Sequence, residues 1–94
     1  MPIYIMLTKL TSEGRTTVKK HPERIEEVEM ELKKMGVKVL DQYVLLGPYD
    51  FLNILEAPNN ETIAKASVEF GARGTIEIMT LPAITIDEFV KKMM

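Results

Sequence analysis

The chain has 94 residues, of which 46% are apolar and 28% charged, and its net charge is -2 at pH 7. This length suits one domain over residues 1-94, and the net charge gives no general attraction to a nucleic-acid backbone. Because the chain has no cysteine, disulfides, iron-sulfur clusters and thiolate zinc sites are excluded. We therefore expect no metal, no cofactor and no nucleic-acid partner.

Apolar runs in the chain are all shorter than the roughly 20 residues that span a bilayer. The opening MPIYIMLTKLTSEG has neither a basic leader region nor a small-residue cleavage pattern. We expect a cytoplasmic protein with no membrane partner.

The first predicted element is a strand over Ile3–Leu10, where β-branched and large apolar residues follow one another without a breaker. A turn follows, and the stretch RTTVKK predicts only a weak helical turn before Pro22. The strongest helix signal comes next, with Pro22 in the first turn, lysines near the end and Gly36 as the stop. One apolar stripe marks its inner face: Ile25, Val28, Leu32 and Met35.

Two further strands are predicted at 37-46 and 51-57, joined by the loop GPYD. A second helix, capped by Asn59 or Asn60, ends before Gly71. Its narrow inner face comprises Ile63, Ala66, Ser67 and Phe70.

The last two predicted elements are a strand at 75-81 and a terminal helix at 85-93 that Thr85 caps. The order β-α-β-β-α-β plus a helix predicts an α+β, ferredoxin-like domain whose four-stranded antiparallel sheet carries two helices on one face.

The other face of that sheet is also predicted to be covered. In strands two to four, apolar residues occupy both odd and even positions, for example Leu45 with Leu46. A strand with one face exposed to water should instead alternate between apolar and polar residues. A large exposed apolar patch is unusual on a monomer. We therefore expect a homodimer or higher homo-oligomer that pairs face to face, with a cavity between the sheets.

Three segments resemble the GYD-domain family: MPIYIMLTKLTSEGRTTVKKHPER at the start, GPYDFLNILEAPNNETIAKA at 47-66, and TLPAITIDEF at 80-89. The resemblance implies a ferredoxin-like fold that associates as a dimeric α/β-barrel, and a family without an assigned activity. Pro48 departs from the commoner form of the loop. A looser similarity runs to the ligand-sensing domain of leucine-responsive-type bacterial regulators, but no helix-turn-helix is present here.

The candidate catalytic residues are Tyr49, Asp50 and His21. The loop that holds Tyr49 and Asp50 is first a hairpin turn, in which Asp50 accepts loop amide hydrogens, but a phenol and a carboxylate at the rim of a dimer cavity suit proton transfer. His21 is either a turn residue at a helix start or a general acid or base.

Each candidate ligand-binding residue also has a purely structural interpretation. Asn53 is polar inside a predicted strand, so its amide either bonds across an interface or contacts a ligand, and Tyr4 and Tyr43 need partners for the same reason. Arg15 and Arg73 are either solvated or grip a carboxylate.

Three functions are consistent with these residues. The leading hypothesis is a homo-oligomeric protein that binds a small organic molecule between paired sheets. The alternatives are a cofactor-independent enzyme of oxygenase or isomerase type, and a purely structural oligomerisation module. Binding comes first because no pair of catalytic groups has a spacing that chemistry demands.

Overall fold

The computed structural model describes residues 1–94, which form a four-stranded antiparallel sheet in the order β2-β3-β1-β4 together with four helices. The predicted α+β class and the four-stranded antiparallel sheet are confirmed. In chain order the elements are β1 (Ile3–Leu10), α1 (Ser12–Lys20), α2 (Arg24–Lys34), β2 (Lys38–Val44), β3 (Phe51–Glu56), α3 (Asn60–Gly71), β4 (Ile76–Ala83) and α4 (Ile86–Met93).

The two faces of the sheet follow from the register of its central strands. In β1, Tyr4, Met6 and Thr8 are buried, whereas the residues between them are only half-buried. Tyr4 pairs with Leu55, and Met6 pairs with Asn53. Directly paired residues share a face of a sheet, so the buried sides of β1 and β3 coincide.

Helices α2 and α3 cover this buried side. Leu32 of α2 and Ile63, Ala66 and Phe70 of α3 join Tyr4, Met6 and Leu55 in one core cluster. Asn59 caps α3 by accepting a hydrogen bond from the Thr62 amide at 2.8 Å. The inner faces predicted from the spacing of apolar residues are therefore the ones that pack.

Helix α1 differs from the prediction, because a nine-residue helix replaces the expected weak turn. Its sequence contains a glycine and two threonines, which favour helix poorly, so tertiary contacts must support it. The Thr11 hydroxyl accepts from the Gly14 amide at 3.1 Å and donates to the Gly74 carbonyl at 2.8 Å. Gly14 is buried so closely that an added Cβ would lie 2.0 Å from the Thr75 carbonyl oxygen. Three helices rather than two consequently lie beside the sheet.

Helix α4 forms as predicted, with the Thr85 hydroxyl accepting from the Glu88 amide at 3.1 Å. No residue of this helix is buried. The chain is elongated, with principal extents of 50 × 29 × 19 Å. Unlike α2 and α3, α4 therefore contributes nothing to the core.

Candidate functional site

The sheet side without helices is apolar across its centre. We define the open face by the apolar residues that point away from the helices on the paired strands: Ile3, Ile5, Leu7, Tyr43, Leu52, Ile54, Met79, Leu81 and Ala83. Asp41 of the edge strand β2 lies opposite Ile54 on the same side and is the charged residue nearest to the centre of this face. Leu81 is 44% exposed and Met79 45% exposed, and no residue of the set is buried. The expected apolarity of the second sheet face is therefore present in the folded chain.

Charged pairs lie at both ends of the open face. Lys9 is directly opposite Glu77 at one end, and Lys38 is opposite Glu56 at the other. Each end thus carries one positive and one negative side chain. A surface of this kind can meet a copy of itself without a build-up of like charge.

A second exposed apolar surface lies on α4. We define the α4 stripe as Ile86, Phe89, Val90 and Met93, whose spacing of three, one and three places them along one side of the helix. Their exposed fractions lie between 46% and 76%. The sequence contains this spacing, whereas the helix itself was predicted from its Thr85 cap.

The GPYD loop ties the β2–β3 hairpin to β1. The Asp50 carboxylate accepts a hydrogen bond from the Leu10 amide at 2.7 Å, and the Asp50 amide donates to the Thr8 carbonyl at 2.8 Å. Gly47 has a φ of 129°, where a side chain is unfavourable. Tyr49 donates through its hydroxyl to the Met79 sulfur at 3.5 Å, beside the open face. In this arrangement the Asp50 carboxylate stabilises the hairpin.

Asn53 and Arg73 both line a cavity on the helix side of the sheet, not on the open face. Gln42 donates from its side-chain amide to the side-chain Oδ1 of Asn53 at 2.9 Å. Arg73 donates two hydrogen bonds to the Glu31 carboxylate, one of them at 3.1 Å, and its guanidinium lies 4.5 Å from the centre of the Phe70 ring. The Arg73 hydrogen bond holds the pKa of Glu31 below its usual value, and Glu31 raises the pKa of Arg73 in return.

Of the remaining predicted site residues, only Tyr43 also lines that cavity, and the others make separate contacts. Tyr4 is buried and donates to the Asn60 side chain at 2.5 Å. Arg15 donates to the Leu10 carbonyl at 2.9 Å. His21 lies exposed between α1 and α2, 3.2 Å from the Glu23 carboxylate. Tyr43 is 55% exposed and pairs with Leu52.

Three polar residues near Asn53 and Arg73 were not predicted: Thr8, Gln42 and Glu31. Thr8 is itself buried, Gln42 pairs with the buried Asn53, and Glu31 lies on α2 outside its apolar stripe. Their proximity depends on strand pairing and helix packing, which the spacing of residues along the chain does not give.

None of the four helices has both the length and the apolar character required to cross a bilayer. The structure also has no group of three or more His, Cys, Asp or Glu side chains arranged to hold a metal ion.

The fold and its two exposed apolar surfaces define a small α+β domain protein. The GYD domain model matches residues 4–93, so the chain belongs to the GYD domain family, as the sequence predicted. A Thermus thermophilus protein described as "Glutamine synthetase and cystathionine beta-lyase binding protein" is 44% identical over 94 residues, which is 99% of each chain.

Solved structures give a second comparison. The crystal structure of FFRP-DM1 superposes with a TM-score of 0.63 at 20% identity and covers 89% of this chain and all of that one. MtbAldR gives a TM-score of 0.66 at 21% identity over 89% of this chain, which spans about half of that protein's length (52%). At these identities the likeness establishes the fold alone.

Proposed function

We propose that this chain is a homodimeric binding protein whose partners are glutamine synthetase and cystathionine β-lyase. The observation that carries the proposal is the 44% identity, over 99% of both chains, to the relative described as binding those two enzymes. A binding role is also consistent with Asp50 and His21, whose side chains make local contacts at separate places.

The dimer in this proposal is a ferredoxin-like pair joined through the open face, in the dimeric α/β-barrel mode. Burial of its apolar centre would remove from water a patch that monomers rarely expose. The opposite charges of Lys9 with Glu77, and of Lys38 with Glu56, suit contact with a second copy. The α4 stripe follows directly from β4, so we assign it to the same second copy as an extension of the interface.

Light scattering coupled to gel filtration tests the pairing. The wild-type chain, of 10.7 kDa, should elute with the mass of two chains, and Leu81→Glu should elute as one. A buried, unpaired carboxylate at the interface is costly, whereas the same residue is tolerated at an exposed position. Val68→Glu is the matched control, because Val68 is 71% exposed on α3 and should leave the dimer intact. A monomeric wild-type chain would refute the pairing.

Biolayer interferometry tests the partners. The chain is immobilised, and purified glutamine synthetase and cystathionine β-lyase from the same organism are titrated separately, with serum albumin as an acidic control protein. We expect saturable binding of both enzymes and none of albumin. Binding of neither enzyme would contradict the proposed function, whatever the oligomeric state.

The two other functions considered from the sequence stay predictions. A ligand between paired sheets requires the dimer cavity, and an enzyme would require Tyr49, Asp50 or His21 to act on a bound substrate. The light-scattering experiment tests the first requirement, since a monomer has no such cavity.

A further inference from the structure

We propose that the cavity on the helix side of the sheet is a binding site for a small uncharged molecule, mainly apolar, that carries one carbonyl or hydroxyl group. This site lies within one chain and differs from both the open face and a cavity between paired sheets. It would give the binding protein a second, small-molecule ligand.

The cavity lies between helices α1 and α2 and strands β1, β2 and β3. Its volume is about 510 Å³, within the range of roughly 300–1,000 Å³ that small-molecule sites occupy. Apolar side chains make up just over half of its lining, including Met6, Val18, Ile25, Val28 and Phe51. These walls suit an apolar ligand body, because such a body gains by leaving water.

Three polar side chains on the neighbouring strands β1, β2 and β3 belong to the part of the lining formed by the sheet. Thr8 is 4% exposed and Asn53 is 9% exposed, while Gln42 pairs with Asn53 across the β2–β3 ladder. Their hydrogen bonding is incomplete. The Gln42–Asn53 bond uses one N–H of Gln42 and the side-chain carbonyl of Asn53, which leaves both N–H donors of Asn53 and one N–H and the side-chain carbonyl of Gln42.

The Thr8 hydroxyl has no hydrogen-bond partner among the side chains and backbone groups of the chain. No polar side-chain atom is both fully enclosed and unpaired, so this hydroxyl must reach the cavity, which Thr8 lines. Because the rest of Thr8 is enclosed, a group inside the cavity is the hydrogen-bond partner open to this hydroxyl. A ligand carbonyl or hydroxyl is a group that Thr8 and Asn53 could both bind.

The charged side chains in the lining indicate that the ligand is neutral. The two arginines in the lining are already paired, Arg73 with Glu31 and Arg24 with Glu27, and all four side chains are more than a third exposed. Glu13 on α1, the other charged side chain of the lining, is exposed as well. No charged side chain is buried beside Thr8 or Asn53. A ligand charge at the depth of these two residues would therefore lose its hydration without compensation.

Fluorescence titration with prodan tests the site. Prodan is a neutral naphthalene dye with one ketone, and its emission reports both polarity and hydrogen bonding at that ketone. We expect saturable binding of one dye per chain. Val18→Trp, which places an indole in the cavity, should abolish binding, and Thr8→Val should weaken it about two- to tenfold through the loss of one hydrogen bond.

Two further measurements separate this site from the alternatives. Leu81→Glu, on the open face, should bind prodan as the wild type does. Thr8→Val should unfold at the same temperature as the wild type or higher, because its hydroxyl has no partner in the chain to lose. The proposal is overturned if the wild type does not bind the dye, if Val18→Trp binds it unchanged while remaining folded, or if Thr8→Val is strongly destabilised.

Discussion

The two faces of the sheet have similar apolar content but different surroundings. On one face Leu55 is completely buried under the helices, and on the other its neighbour Ile54 is only half-buried. Both are large aliphatic residues in the same strand, so the difference lies in what covers them. Apolar residues in a strand therefore do not by themselves say what covers them: the chain's own helices cover Leu55, and a second copy is proposed to cover Ile54.

The largest expected effect is the difference between the stability lost by truncating Leu55 and the stability lost by truncating Ile54. Leu55→Ala should lower the free energy of unfolding by about 2–5 kcal/mol, because it leaves a cavity in a filled core. Ile54→Ala should cost clearly less when both substitutions are made in the Leu81→Glu background, which is expected to be monomeric. Urea unfolding followed by circular dichroism measures both.

The same substitutions also test the proposed dimer. In the otherwise wild-type chain, Ile54→Ala should cost more than in the Leu81→Glu background, since pairing covers the open face and couples the two sites. An equal cost in both backgrounds would show that Ile54 is not covered by a second copy. Equal costs for Leu55→Ala and Ile54→Ala in the monomer would remove the distinction between the faces.

The next effect concerns how α1 is held beside the covered face. Gly14→Ala should destabilise the chain by about 1–3 kcal/mol, because the new methyl group collides with the Thr75 carbonyl and the backbone must move. Gly71→Ala is the control. It lies at the end of α3 with open space around its Cβ position, so alanine there should be neutral or slightly stabilising. Thermal unfolding compares the two, and a neutral Gly14→Ala would contradict the close packing.

A smaller effect is expected on the uncovered side, from α4. Phe89→Ser should raise the dimer dissociation constant about tenfold, equivalent to about 1.4 kcal/mol, because the ring leaves the proposed interface. Lys91→Ser, on the opposite side of the same helix, should change it less than about twofold, since an exposed charge contributes little. Sedimentation equilibrium measures both constants. Equal dissociation constants for the two variants would show that α4 is not part of the interface.

The predictability of these regions from sequence depends on how local their causes are. All four strands and helices α2 to α4 were predicted because apolar spacing, caps and stop residues lie within each segment, as with Thr85 before α4. Helix α1 was underestimated because its support comes from Thr75 and Gly74, which lie about 60 residues away along the chain. Helix propensity depends only on the residues within the segment, so it cannot predict a helix that distant contacts stabilise.

The open face and the helix-side cavity also differ in how far the sequence predicts them. The open face was predicted, since apolar residues at both parities are visible in one strand. The helix-side cavity was not, because Thr8, Gln42 and Asn53 belong to three different strands and meet only through the sheet register. Threonine in a strand also has an ordinary explanation, since it favours β structure wherever it occurs.

The smallest expected effect lies at the rim of the covered face, in the Glu31–Arg73 pair. The hydrogen bond from Arg73 holds the pKa of Glu31 below 4.5 in the folded chain. A carboxyl group with a lowered folded pKa stabilises the protein above its unfolded pKa, and this contribution is lost as the pH falls through the folded value. The two side chains are 40% and 37% exposed, so solvent screening limits the contribution to about 0.2–1 kcal/mol.

Glu31→Gln should therefore reduce the free energy of unfolding by that small amount at neutral pH. The difference from the wild type should shrink below pH 4.5 and vanish once the pH is lower than the folded pKa of Glu31. Added salt should shrink it at neutral pH as well. Urea unfolding across the pH range measures the difference, with Glu29→Gln, on the exposed side of α2, as the control expected to follow the wild type. A Glu31→Gln deficit that persists at acid pH would mean that packing of the side chain, not its charge, stabilises this rim.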